Sequence, residues 1–63
     1  MKKGTKVQSR DGAEIGVATG ATYRCLMEGC TGLRCVVRWP DGRFTHPCTK
    51  GMRELPSGEW KID

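Results

Sequence analysis

Four cysteines, Cys25, Cys30, Cys35 and Cys48, fall in the middle of a 63-residue chain. A chain this short buries only about 60% of the surface its unfolded form exposes, so its stability is marginal and a fastener is often required. The cysteines are the residues able to supply one, and their chemistry depends on compartment. No apolar run follows Lys2 and Lys3 as a signal sequence would, and none approaches the roughly 20 residues of a membrane span. The expected setting is cytoplasmic, with no membrane partner. In a reducing cytosol, clustered cysteines are more often metal ligands or free thiols than structural disulfides.

Three readings of the cysteines stay open. Their separations of four, four and twelve residues permit convergence on a metal but do not demand it, because the Cys-x2-Cys of zinc knuckles is absent. His46, two residues before Cys48, is a fifth candidate. Zinc held by at most four of Cys25, Cys30, Cys35, Cys48 and His46 would order residues 24–35, which carry too few apolar side chains to order themselves. Four protein ligands leave no open position, and no carboxylate stands near them as a base, so this zinc would be structural. In the second reading the thiols are reduced and serve as small buried hydrophobes. In the third, Cys35 and Cys48 form a disulfide across a hairpin.

That hairpin is the best-marked element. Cys35–Trp39 and Phe44–Cys48 flank Pro40-Asp41-Gly42-Arg43, and Asp-Gly between β-rich runs is a strong hairpin signal. With Asp41 and Gly42 as a two-residue loop, Trp39 faces Phe44, Val37 faces His46 and Cys35 faces Cys48. This places cysteines and apolar residues on one face, and Val36, Arg38, Arg43, Thr45 and Pro47 on the other. A three-residue loop would shift the register.

Nine glycines and three prolines, 12 of the 63 residues against about 12% in average proteins, favour short strands over helices. Strands are expected at 5–9, with Val7 inward, at 14–19, with Ile15 and Val17 on one face, and at 59–62. Arg10–Ala13 is a turn. Gly16 marks a bulge or a close backbone approach, Gly20 ends its strand, 21–34 is a long connection, and 49–55 contains a single 3₁₀ turn. The expectation is one domain over 1–63, an all-β, five-stranded antiparallel barrel in which zinc is one candidate fastener, with Trp39 and Trp60 in its core. Gly4, Val7, Gly12, Gly16 and Val17 resemble the glycine–valine spacing of SH3-like barrels of the KOW and Tudor types. Val36 through Gly42 is similar to their third strand and hairpin. In the KOW comparison the second valine follows its glycine directly, and Ala13, Glu14 and Ile15 stand where a basic residue is usual. The resemblance implies a fold of that type.

Function is approached through charge. The net charge is +4, and residues 24–53 alone carry Arg24, Arg34, Arg38, Arg43, Lys50 and Arg53 against Glu28 and Asp41. The N-terminal part adds Lys2, Lys3, Lys6 and Arg10 against Asp11 and Glu14, so a polyanion would meet the middle and N-terminal parts first. Arg34, Arg38, Arg43, Lys50 and Tyr23 form the expected nucleic-acid contact, with Trp39, Trp60 or Phe44 as further stacking partners. A protein partner seated in a Trp-centred groove is the alternative. His46 lacks an orienting carboxylate and a nucleophile, and no phosphate loop, HExxH or CxxC occurs, so a non-enzymatic binding module is expected.

Overall fold

The computed structural model describes all of residues 1–63. Six strands form one sheet: β1 (Lys6–Gln8), β2 (Ile15–Arg24), β3 (Leu33–Arg38), β4 (Phe44–Thr45), β5 (Met52–Glu54) and β6 (Trp60–Ile62), with a 3₁₀ turn at Thr49–Gly51 before β5. The order is β4-β3-β2-β1-β6-β5. All pairs are antiparallel except β1–β6, which runs parallel, with Val7 opposite Trp60. The chain is all-β, as expected, but the sheet is six-stranded, mixed and not closed into a barrel. No helix is long and apolar enough to cross a membrane.

The extra strand comes from a turn that the sequence states twice. In Trp39-Pro40-Asp41-Gly42-Arg43, the Gly42 N–H donates to Trp39 O (2.9 Å) and the Trp39 N–H to Arg43 O (2.8 Å). In Leu55-Pro56-Ser57-Gly58-Glu59 the corresponding bonds are 2.9 and 2.7 Å. Pro presets φ for the second position of a type I turn, and the glycine takes the left-handed conformation that leads back into the strand, at φ +86° in Gly42 and +89° in Gly58. The second turn joins β5 to β6, and β5 falls within 49–55, where a single turn and no strand is expected.

The first turn corrects the hairpin register. Its loop has three residues, so Arg38 faces Phe44 and Val37 faces Thr45. The Cys35 N–H donates to Pro47 O (3.1 Å), and Arg34 bridges to Cys48. A slip of one residue on one strand exchanges its two faces. Phe44, His46 and Cys48 therefore join Arg34, Val36 and Arg38 on the outer face, while Cys35, Val37 and Trp39 point inward with Thr45, whose hydroxyl accepts from Trp39 Nε1 (2.7 Å). A Cys35–Cys48 disulfide is excluded by the same parity, and all four thiols are free.

Strand β2 runs on through Gly20 to Arg24 rather than ending there. Its pairing with β3 shifts between Ala18 and Thr22, where Gly20 takes φ +93° and the strand bends. Ile15 and Val17 share a face, and it is the outer, half-exposed one. The core on the other side consists of Val7, Cys35, Val37, Trp39 and Met52, with Met1, Trp60 and Ile62 packed against it. Trp39 is buried as expected, whereas Trp60 is only partly so.

Gly16 is the close approach. A Cβ there would lie 2.6 Å from Val37 Cγ1 and 2.9 Å from Trp39 Cε3. Gly16→Ala is expected to lower unfolding free energy by about 1–3 kcal/mol through overpacking, measured by urea denaturation; wild-type stability would show that the core does not press on this strand.

Candidate metal centre

Strand ends and turns, not strand interiors, bring three sulfurs together. The loop after β2 is closed at its base by the Cys25 N–H donating to Gly32 O (3.1 Å). Within it, the Cys30 N–H donates to Met27 O (3.0 Å), a turn whose third residue, Gly29, takes φ +76°. Cys25 and Cys30 are thereby folded back on one another. Cys48 arrives from the far side of the hairpin, opposite Arg34 and just before the 3₁₀ turn. The Sγ atoms of Cys25, Cys30 and Cys48 all lie within 4.8 Å of one another, and Cys30 and Cys48 are 3.5 Å apart. Thiolates sharing a zinc ion at about 2.3 Å stand about 3.8 Å apart, whereas a disulfide needs about 2.05 Å. The three cysteines lie close enough together to hold one metal ion.

The surroundings favour the thiolate at Cys25. The Gly32 N–H donates to Cys30 Sγ (3.4 Å), and the Met27 amide faces the Cys25 sulfur. Each is the backbone amide two residues after its cysteine. The Met27 amide, together with Cys30, Arg34 and Cys48 as hydrogen-bonding neighbours, outweighs burial and lowers the Cys25 pKa to about 7. At Cys30 the Gly32 amide favours the thiolate, but Cys25 and Cys48 outweigh it and push the pKa up. Contact with Cys25 in turn raises the pKa of Arg34. Three thiols in mutual contact cannot all ionise without a cation between them. Gly32 is part of the design: a Cβ there would stand 2.9 Å from Cys48 Sγ and 2.7 Å from Lys50 Cγ.

The other two candidate ligands are placed elsewhere. Cys35 is 1% exposed in the core, where its Sγ contacts Pro47 O (3.7 Å) and Met52 Sδ (3.9 Å), and burial raises its pKa. His46 spends Nδ1 on the Tyr23 hydroxyl (2.7 Å), with the two rings edge to face. The sequence reading missed Gly32 and the role of Arg34 beside a thiolate; Cys30-Thr31-Gly32 was the available signal for the first.

The five residues expected to contact nucleic acid do not form one patch. Tyr23 pairs with Arg34, and Arg38 with Val17 and Phe44, so Tyr23, Arg34 and Arg38 share the outer face of β2–β3–β4 with Val17 and Phe44. Arg43 lies on the other side, 5.9 Å over the Trp39 ring and paired with Glu14 (3.3 Å) and Asp41 (3.5 Å). Arg34 is committed locally, its Nη1 donating to His46 O (2.7 Å). Lys50 is exposed beside the cysteine loop. Lys3, counted in the basic N-terminal part but not among the expected contacts, joins Arg38 at the rim of a groove floored by Ile15, Val17 and Pro40.

No family model matches the chain, and no curated protein or solved structure is significantly similar to it.

Two measurements follow from this geometry. Cys25→Ser, Cys30→Ser and Cys48→Ser are each expected to abolish binding of one divalent metal equivalent in native mass spectrometry. Cys35→Ala keeps the metal and costs about 1–2 kcal/mol of stability as a core defect; loss of metal in that variant would put Cys35 in the site. In metal-free protein, thiolate absorbance should show one step at about pH 7 that Cys25→Ser removes. Because the folded value lies below the ordinary 9.0, Cys25 contributes stability that is complete above pH 9 and is lost as pH falls through about 7. A flat stability profile between those values would contradict the thiolate environment described.

Proposed function

We propose that the protein is a small zinc-fastened β module that binds single-stranded nucleic acid on the outer face of β2–β3–β4. The observation that carries this reading is the placement of Tyr23, Arg38 and Phe44 on one exposed sheet face, beside Lys3. Aromatic rings offer any base a stacking surface, worth roughly 1–3 kcal/mol each, and the cations follow the phosphates. Phe44 is 56% exposed and Tyr23 is 42% exposed, with its hydroxyl tethered to His46, so both rings are available. Arg38 has no acidic partner, in contrast to Arg43 and Arg53.

Zinc follows from ligand chemistry. Soft thiolates select zinc, copper(I) or iron–sulfur clusters, and thiolates brought together from two loop turns and a strand end suit a tetrahedral zinc ion. When bound, the ion ties the β2–β3 loop to the end of the hairpin and neutralises the thiolates. Structural zinc sites contribute about 10–16 kcal/mol in small peptides, more than a core of five buried side chains leaves as net stability. We also read the fold as a divergent relative of the small SH3-like barrels of the KOW and Tudor types. The bent second strand and the 3₁₀ turn ahead of the last strands support that; the parallel β1–β6 pair departs from it.

Titration of a labelled oligonucleotide at low salt tests the binding reading. Phe44→Ala is expected to weaken binding about tenfold, and Arg38→Ala to flatten the log–log salt slope by about 0.7. Arg43→Ala, on the opposite face, leaves binding unchanged. No association at about 100 μM protein, or equal losses from Arg38→Ala and Arg43→Ala, ends the proposal. Binding of an apolar acidic peptide with little salt dependence would instead favour a protein partner in the Ile15–Val17 groove.

A further inference from the structure

We infer that the metal centre takes its fourth ligand from outside the chain, and that this ligand is a thiolate. The inference rests on the metal reading above. Three sulfurs converge and no other donor of the chain joins them: Cys25, Cys30 and Cys48 are the only group of histidine, cysteine or carboxylate ligand atoms close enough to share an ion. Cys35 is turned into the core, and the His46 ring is held through Nδ1 by Tyr23. A tetrahedral zinc ion on this triad therefore keeps one position open.

Charge selects the class of ligand. A divalent ion on three thiolates carries a net −1. Two cationic side chains can serve it: Arg34 lies against Cys25, and the stem of the exposed Lys50 passes Gly32 beside Cys48, from where its ammonium can turn toward the sulfurs. With both cations turned in, one positive charge is left over; an anionic ligand balances it, whereas neutral water or imidazole does not, and among anions a thiolate matches the softness of the other three sulfurs. The approach is also shaped. Tyr23, Leu26, Met27 and Arg34 line a cleft of about 240 Å³ next to Cys25. Leu26 is 86% and Met27 63% exposed, so the cleft offers apolar contact to the carbon body of the ligand and a guanidinium to its charge. Cys30 and Cys48 are half-buried, which leaves the centre open to solvent on their side. Binding forms one metal–sulfur bond, displaces water from the fourth position and releases the thiol proton to solvent.

Cobalt(II) in place of zinc makes the coordination visible. The cobalt-loaded full chain is expected to show thiolate-to-metal charge transfer, and 2-mercaptoethanol to shift the d–d bands saturably and add charge-transfer intensity. Imidazole should do so only at higher concentration. Lys50→Gln, at an exposed position, should weaken thiol binding about threefold, and Arg34→Gln somewhat more. An unstructured cysteine-containing peptide forms the second arm. If it binds more tightly than mercaptoethanol, with Leu26→Ser and Met27→Ser erasing the advantage, the thiolate is protein-borne; equal affinities assign it to a free thiol. Bands that mercaptoethanol does not move overturn the open position, and a spectral change in His46→Ala would then identify the internal ligand. Imidazole acting at lower concentration than thiol overturns the ligand class. Absence of charge transfer altogether overturns the metal reading itself, and is distinguishable from both.

Discussion

Gly42 sits at φ +86° at the end of a turn that Pro40 begins, and this local geometry fixes which face of the hairpin every later side chain occupies. The loop has three residues, so Arg38, not Trp39, stands opposite Phe44. From that single step Cys35 turns into the core and Cys48 turns out toward Cys25 and Cys30. Trp39 keeps the inward face together with Thr45, which satisfies its indole N–H. The three-cysteine cluster, the core and the aromatic–arginine face are three consequences of one register.

The two kinds of cysteine then divide the work. Cys35 packs with Val7, Val37, Trp39 and Met52, and burial keeps it a neutral thiol. Cys25, Cys30 and Cys48 sit at turns and a strand end; backbone amides aim at the first two, and Arg34 faces Cys25, where the surroundings favour the charged form. A core of five buried side chains is small, and neither end of the sheet is sealed against the other. An ion held by the three cysteines would link the β2–β3 loop to the segment after the hairpin and tie together parts that apolar contact holds weakly. The same ion would anchor one end of the outer face, since Cys48 lies opposite Arg34 and Arg34 opposite Tyr23.

Much of this was legible in the residues. The all-β character, the turn at Arg10–Ala13, the hairpin, the 3₁₀ turn and the close approach at Gly16 follow from Gly, Pro and β-branched placement. The register is readable too, but only when Pro40 is taken together with Asp-Gly. A proline suits the second position of a type I turn and cannot donate in the ladder position that a two-residue loop would give it. Pro56-Ser57-Gly58 repeats that pattern, and the same rule applied there marks the β5–β6 hairpin. The bend at Gly20 was not legible, because a glycine ending a strand and a glycine kinking one look alike in sequence. The parallel pairing of β1 with β6 depends on contacts between the chain's two ends and leaves no local trace. Of the metal set, Cys25, Cys30 and Cys48 were all named, while separating Cys35 from them required the face of each strand.

The register can be observed without a metal, a ligand or a substitution. In an antiparallel pair the non-hydrogen-bonded partners bring their Cα atoms to about 4.5 Å, close enough for a strong Hα–Hα nuclear Overhauser effect. Trp39 and Arg43 are a hydrogen-bonded pair, as is Cys35 with Pro47, so the close contacts fall at the alternate positions. Cross-peaks between the Hα protons of Arg38 and Phe44, and of Val36 and His46, are the predicted result. Cross-peaks joining Trp39 to Phe44 and Val37 to His46 would return Cys35 to the face of Cys48 and contradict the account.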